Sequence, residues 1–328
     1  MTTLPAASPV DFERFRESGG WAEKPDAADD GSFRRTAYPF QGRVDAAGEF
    51  PPAAGRYVLY VSYACPWAHR QLIVRALKGL EEAVGVAVVD PVRDGRGWAF
   101  REGPDLTLDP YNSFTLLREA YDATEPGYPG HISVPVLWDT VSRRIVSNNF
   151  PDISLDLGSR FDQWARRPEL DLYPADLRDD IDAVNHRVYE TVNNGVYRCG
   201  FARRQEAYDR AVAELFDSLD WLEDILRTRT FLFGDQVTEA DVRLYPTLAR
   251  FDAVYATHFK ANVRRLVDYP NLWDYARTLF HLPAFGDTTK FDHIKRHYFL
   301  THPFINPTRI IPAGYAVDWS EPTRREGA

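Results

Sequence analysis

Residues 58–70 read VLYVSYACPWAHR, and this stretch constrains the fold more than any other. The β-branched and aromatic run up to Ala64 has the composition of a strand. Pro66 stands where a first helical turn tolerates it, because its missing N–H needs no intrahelical acceptor and its φ is preset. WAHRQLIVRALKGLEEA then carries apolar residues at helical spacing, through Leu72, Val74, Leu77 and Leu80. A strand that runs directly into a helix needs partner strands. The chain supplies them in VGVAVVDPV from residue 84, HISVPVLWD from 131 and RRIVS from 143, the last two joined by a turn around Asp139 to Ser142. Strand, helix, strand and hairpin predict a small α/β domain over residues 56–165.

The flanks read differently. Residues 1–55 are rich in Gly, Pro, Asp and Ala with scattered aromatics (Trp21, Phe33, Tyr38, Phe40), the texture of an irregular arm that packs its rings on a neighbour. From Asp176 the pattern is helical, so residues 170–328 read as an all-helical domain with a C-terminal tail. AYDRAVAELFDSLDWLEDIL places Val212, Leu215, Leu219, Leu222 and Leu226 on one stripe. Thr238-Glu-Ala-Asp241 has the form of a capping box, and Asp268-Tyr-Pro-Asn-Leu-Trp opens a further helix ending near Pro283. EPTRREGA at the end reads as a frayed tail. The expected fold is therefore α/β followed by all-α.

The net charge of -9 argues against a general nucleic-acid or anionic-membrane surface. No apolar run approaches the roughly 18 residues that span a bilayer, and the start lacks a secretory signal pattern. Two cysteines cannot build a disulfide framework, which points to a cytoplasmic protein. One of the two, Cys65, stands at the strand-to-helix junction. There it meets the first-turn N–H groups and the positive end of the helix dipole, both of which stabilise a thiolate. A buried, inert cysteine is the plain alternative; Pro66 and the flanking strand and helix favour a functional thiol. Ala68 occupies the position of the second cysteine of a Cys-x-x-Cys motif, so a mixed disulfide on Cys65 needs an external thiol to resolve it. Cys199 reads as structural. In thioredoxin-like folds a cis-proline precedes the third strand beside the active cysteine, and Val134-Pro135 lies where that proline belongs.

These features resemble the glutathione transferase superfamily: an N-terminal thioredoxin-like domain followed by an all-helical C-terminal domain. The resemblance narrows to its glutathionyl-hydroquinone reductases, the Xi class. The segments that carry it are YVSYACPWAHR, DGRGWAF at 94–100, VPVLWD at 134–139, VNNGVYRCGFA at 192–202, RFDAVYATHF at 250–259 and HIKRHYFLTHPFINPTRIIPAGY at 293–315. The resemblance implies reductive removal of a thiol from a thiol-conjugated hydroquinone, with Cys65 as nucleophile and Tyr197 and Tyr298 as acids. It implies that Trp98, Val134, Pro135, Asn149, Phe150 and Tyr255 bind substrate. No tightly bound cofactor and no metal are implied, only a low-molecular-weight thiol (glutathione or mycothiol) and a quinol conjugate, with a homodimer as the ordinary assembly.

Without the family, each of those tyrosines reads more simply as a core or rim residue. His293 and His297, four apart on a helix, lack a third metal ligand and read as a pocket-lining or solvated pair. Two other activities fit the same cysteine or the same pocket: an omega-like thiol transferase or dehydroascorbate-type reductase, and a non-catalytic ligand binder.

The chain departs from the family at one place. Where the pattern resembles Val-Asn-Asn-Glu-Ser-Ser-Glu-Ile, this chain has Val146-Ser-Asn-Asn149-Phe150-Pro-Asp-Ile153. Asn149 replaces the carboxylate and Phe150 the hydroxyl that hold the γ-glutamyl end of glutathione, and His131 replaces a basic residue. Asp152 is the alternative acid. The departure implies a thiol without a γ-glutamyl group, such as mycothiol, with Asn148, Asn149 and Phe150 facing a sugar.

Overall fold

The computed structural model describes residues 4–12 and 27–325; Trp21 lies outside them. By Cα packing the chain forms two compact units that alternate along the sequence. Among the described residues, one holds 4–12, 36–170 and 292–309, the other 27–35, 171–291 and 310–325.

The first unit is built on a four-stranded sheet in the order β2-β1-β3-β4. β1 (Tyr57–Val61) pairs in parallel with β2 (Val84–Val88) and antiparallel with β3 (Val136–Asp139), which pairs antiparallel with β4 (Arg144–Ser147). All five residues of β1 are buried, as in a central strand covered on both faces. Burying each of its large apolar side chains contributes about 1.5–3 kcal/mol. This is the thioredoxin-like arrangement the sequence led us to expect.

α1 (Pro66–Lys78) follows β1 and packs against α3 (Phe150–Ser159). It differs from the reading in two ways. It stops at Lys78, because Gly79 is left-handed at φ 68° and the Leu80 N–H turns back to the Arg75 carbonyl. A side chain at residue 79 would also meet Arg166 Cβ at 2.7 Å. Leu80 is buried, but beyond the helix. Nor is α1 amphipathic: His69, Arg70, Gln71 and Lys78 are buried with its apolar residues. Gln71 Nε2 donates to the Phe150 carbonyl at 2.7 Å and to Ser154 Oγ at 2.8 Å, joining α1 to the start of α3. A short helix, α2 (Arg118–Thr124), had no counterpart in the sequence reading.

Residues 27–55 carry only isolated bridges. In this unit the rings of Tyr38 and Phe40 pack on Phe150 and on Tyr121 and Tyr128 respectively.

The second unit is helical: α4 (Arg178–Val188), α5 (Gly195–Gly200), α6 (Gln205–Ile225), α7 (Glu239–Arg250) and α8 (Pro270–Phe280). α6 buries Leu215, Leu219 and Leu222 as expected, but its stripe runs back through Ala211 to Ala207, with Val212 half-exposed. The capping box forms, the Thr238 N–H donating to Asp241 Oδ2 at 2.7 Å. Two π-helical stretches, Tyr189–Asn193 and Phe251–Tyr255, interrupt the α-helical run. The tail is not frayed as far as it is described. Arg325 donates to Asp274 Oδ2 at 2.9 Å and to the Leu226 and Arg229 carbonyls at 2.6 Å, and the Arg324 N–H donates to Asp274 Oδ1 at 2.9 Å. Its guanidinium partners lie far away in sequence, where composition gives no sign of them.

Candidate active site

Cys65 is the N-cap of α1, in extended conformation at φ -80° and ψ 120°, with Pro66 at the first helical position. Its own carbonyl accepts from the His69 N–H at 3.0 Å, and its N–H donates to the Ser62 carbonyl at 3.0 Å. The side chain therefore sits at the helix start, where first-turn N–H groups lack i−4 acceptors and the dipole is positive. The first turn holds no acidic residue to cancel that field. The thiol donates to the Val134 carbonyl at 3.3 Å, and the Val134–Pro135 peptide bond is cis. Cys65 is 9% exposed and neither cysteine forms a disulfide. Ala68 is fully buried one turn along.

In the same unit, Trp98 is 3% exposed and its ring centroid lies 5.2 Å from that of His297, with the planes 15° apart. Tyr298 is 2% exposed; its ring meets those of His297 and His302 edge-on at 5.3 and 5.7 Å. The two histidines are neither solvated nor arranged around a metal. His293 donates from Nε2 to the Pro104 carbonyl at 3.1 Å and His297 from Nδ1 to the Pro91 carbonyl at 2.7 Å. Among the described residues no three metal-ligating side chains cluster. Burial pushes the His293 pKa below the usual imidazole range.

The second unit gathers Tyr197 and Tyr255. Their centroids are 6.0 Å apart, Tyr255 stacks on Phe259 at 5.5 Å, and Phe33 of the arm packs on Tyr197 at 6.4 Å. Tyr255 ends the second π-helical stretch, and Tyr197 stands on α5 shortly after the first; such bulges recur at functional sites. Gly200 lets the Phe259 ring approach, since a side chain there would meet the ring at 2.1 Å. Arg35 went unnoticed in the sequence. Its guanidinium lies 4.8 Å from the Tyr197 ring and its Nε donates to Asn194 Oδ1 at 2.9 Å. An isolated Arg in an irregular arm carries no local signal of such a contact.

Residues 205–278 match the family model for the glutathione S-transferase C-terminal domain. The chain is 48% identical over 286 residues to glutathionyl-hydroquinone reductase PcpF of Sphingobium chlorophenolicum, covering 87% of this chain and 90% of PcpF. It is 45% identical to glutathionyl-hydroquinone reductase YqjG of Escherichia coli, over 90% of this chain and 93% of that one. The glutathione-bound structure of YqjG superposes with a TM-score of 0.85, covering 91% of this chain and 98% of that one. The Xi glutathione transferase of Phanerochaete chrysosporium gives a TM-score of 0.87 at 49% identity, covering 89% of this chain and 95% of that one. The chain belongs to the glutathionyl-hydroquinone reductases, the Xi class of the glutathione transferase superfamily.

The segment in which this Xi-class chain departs from the family pattern is tightly engaged. Asn149 caps α3 and donates from Nδ2 to Asp152 Oδ2 at 2.7 Å, while Arg43 holds Asp152 Oδ1 at 3.2 Å. Both carboxylate oxygens of the alternative acid thus have partners. Phe150 is 2% exposed; its ring stacks on Trp67 at 4.6 Å and meets Tyr38 edge-on at 5.4 Å. It is core rather than the open platform for a sugar that the sequence suggested. Asn148 likewise does not face a ligand: it is 1% exposed, accepts from the Phe40 N–H at 3.2 Å and donates to the Tyr121 hydroxyl at 3.3 Å. The arm that takes up these groups is distant in sequence, so the motif alone did not reveal it. His131 is exposed.

Proposed function

We propose that this protein reductively removes the thiol group from thiol-conjugated hydroquinones through a mixed disulfide on Cys65. The observation that carries the reading is a single helix-capping cysteine with Ala68 one turn along, in a chain 48% identical to a named glutathionyl-hydroquinone reductase. In the proposed reaction the Cys65 thiolate attacks the sulfur of the conjugate. An S–S bond forms, the sulfur–carbon bond breaks, and its electron pair stays on the ring carbon. That carbon takes a proton from a tyrosine hydroxyl, a role assigned to Tyr298 and Tyr197, with Tyr255 binding the quinol. A second thiol molecule then attacks the mixed disulfide as its thiolate, regenerating Cys65 and leaving a small-molecule disulfide. Net, one free thiol is consumed: its sulfur and the conjugate's thioether sulfur are oxidised to the disulfide, the ring carbon is reduced, and the proton that thiol gives up restores the tyrosine hydroxyl. Trp98 and the backbone of Val134 and Pro135 take the thiol half.

The same reading extends to the identity of the thiol. Phe150 brings no hydroxyl to the start of α3, Asn149 no charge, and Asp152 is paired with Arg43 and Asn149. These features favour a thiol without a γ-glutamyl group, such as mycothiol, over glutathione. The reading carries with it a cytoplasmic homodimer with no tightly bound cofactor.

Steady-state turnover of 2-glutathionyl-hydroquinone with glutathione, set against the mycothiol conjugate with mycothiol, tests both levels. We expect thiol-dependent release of hydroquinone and a kcat/KM at least about tenfold higher for the mycothiol pair, the scale of one lost charged hydrogen bond. Efficient glutathione turnover with a low-micromolar KM removes the thiol assignment and leaves the reductase. No turnover of either conjugate removes the reductase.

A further inference from the structure

The loop that carries Trp98 is held at both ends by one helix. α9 (Phe291–Thr301) reaches it through two histidines one turn apart, His297 donating to the carbonyl of Pro91 and His293 to that of Pro104. A carbonyl cannot donate, so the proton on His297 lies on Nδ1. The Thr301 hydroxyl donates to the His297 carbonyl at 2.6 Å, fastening the helix end beneath it. Held this way, the imidazole lies flat against the Trp98 indole, at 5.2 Å and 15°. The indole is buried, yet its N–H has no hydrogen-bond partner among the described residues. Buried donors are almost always paired, and a donor with no protein acceptor is met by water or by a group that arrives with a ligand.

We propose that His297 is a positioning residue for the thiol half of the substrate: it fixes the plane of Trp98, so that the indole N–H faces an acceptor on the thiol moiety. This rests on the reading of Trp98 as a thiol-side residue. The imidazole is suited to the task because it combines two properties. A phenyl ring at 297 keeps the stacking and loses the bond to Pro91; a glutamine keeps a donor and loses the ring. His297 touches neither the reacting sulfur nor the ring carbon in this scheme, so its loss weakens binding more than chemistry.

The test uses full-length protein labelled with 15N at the indoles of its 8 tryptophans, Trp98 being assigned by the signal lost in Trp98→Phe. 2-Glutathionyl-hydroquinone and its mycothiol counterpart are the two probes. We expect one of them to move the Trp98 signal, and His297→Phe and His297→Gln to move it in the ligand-free protein. Each substitution should raise KM at least about tenfold and leave kcat within about threefold, the signature of lost ground-state binding. In the Trp98→Phe background, His297→Phe should change KM by less than about twofold, because coupled residues are not additive. A Trp98 signal and a KM unchanged by both His297 substitutions overturn the proposal, as do additive effects of Trp98→Phe and His297→Phe. If His297→Phe does not fold, His297→Gln decides by the same criteria. Absence of turnover in the unmodified protein defeats the reductase reading alone, because the ligand-free Trp98 signal still reports whether His297 holds the indole.

Discussion

The two cysteines of this chain are both buried, at 9% and 2% exposure, and their surroundings are opposite. Cys65 caps a helix a few residues beyond the end of β1, with first-turn N–H groups ahead of it and the Val134 carbonyl 3.3 Å from its sulfur. Cys199 lies within α5 in the second unit, and loss of water around it pushes its thiol up to about 12. Burial alone therefore does not make a thiol inert or reactive. What differs is the backbone around the sulfur: donors with no helical acceptor at one site, a closed helical ladder at the other. A thiolate is stabilised by the first and penalised by the second.

That contrast can be broken at several levels. The largest effect belongs to the proposed nucleophile. Cys65→Ser should lower turnover of the conjugate by at least about a thousandfold, whereas Cys199→Ser should leave kcat/KM within about twofold. Equal losses in the two variants would end the distinction. Alkylation by iodoacetamide comes next. A thiol titrating near 12 is on the order of one part in 10⁵ thiolate at pH 7, so Cys65 should be labelled at least about a hundredfold faster there. Deprotonation rises with pH, so labelling of Cys199 should climb about tenfold per unit through pH 10. A pH-independent Cys199 rate would contradict the burial account. For the proposed proton donor, Tyr298→Phe should reduce kcat by about ten- to a hundredfold, with the mixed disulfide on Cys65 still detectable by mass. The smallest effect is on stability: a hydroxyl buried at position 199 should cost about 1–3 kcal/mol in urea unfolding. Cys65→Ser, at a helix cap that suits serine, should cost less.

The same contrast explains what the sequence disclosed. The Cys65 site is local: strand, N-cap, Pro66 and Ala68 follow one another, and each has a positional meaning that can be read from neighbours. α6 and the Thr238 capping box were legible for the same reason, since 3.6-residue periodicity and a hydroxyl three residues before a carboxylate are short-range signals. The parts that were not legible are long-range. α1 looked amphipathic because its buried Gln71, Arg70 and His69 find their surroundings only in the tertiary fold. Phe150 and Asn148 looked like ligand contacts until the arm residues Tyr38 and Phe40 took them up. His297 meets Trp98 across some two hundred residues of chain, which no window can see. α2 is seven residues long, too short for its periodicity to stand out.

The claim on which the rest depends is that the conjugate's thiol passes through Cys65. It is tested most directly by a single turnover with excess enzyme, the conjugate of glutathione or mycothiol and no free thiol, quenched in acid and read by intact mass and peptide mapping. The account predicts one thiol adduct on the Cys65 peptide for each hydroquinone released, cleared when free thiol is added. Hydroquinone released without an adduct, or an adduct on Cys199, would contradict it.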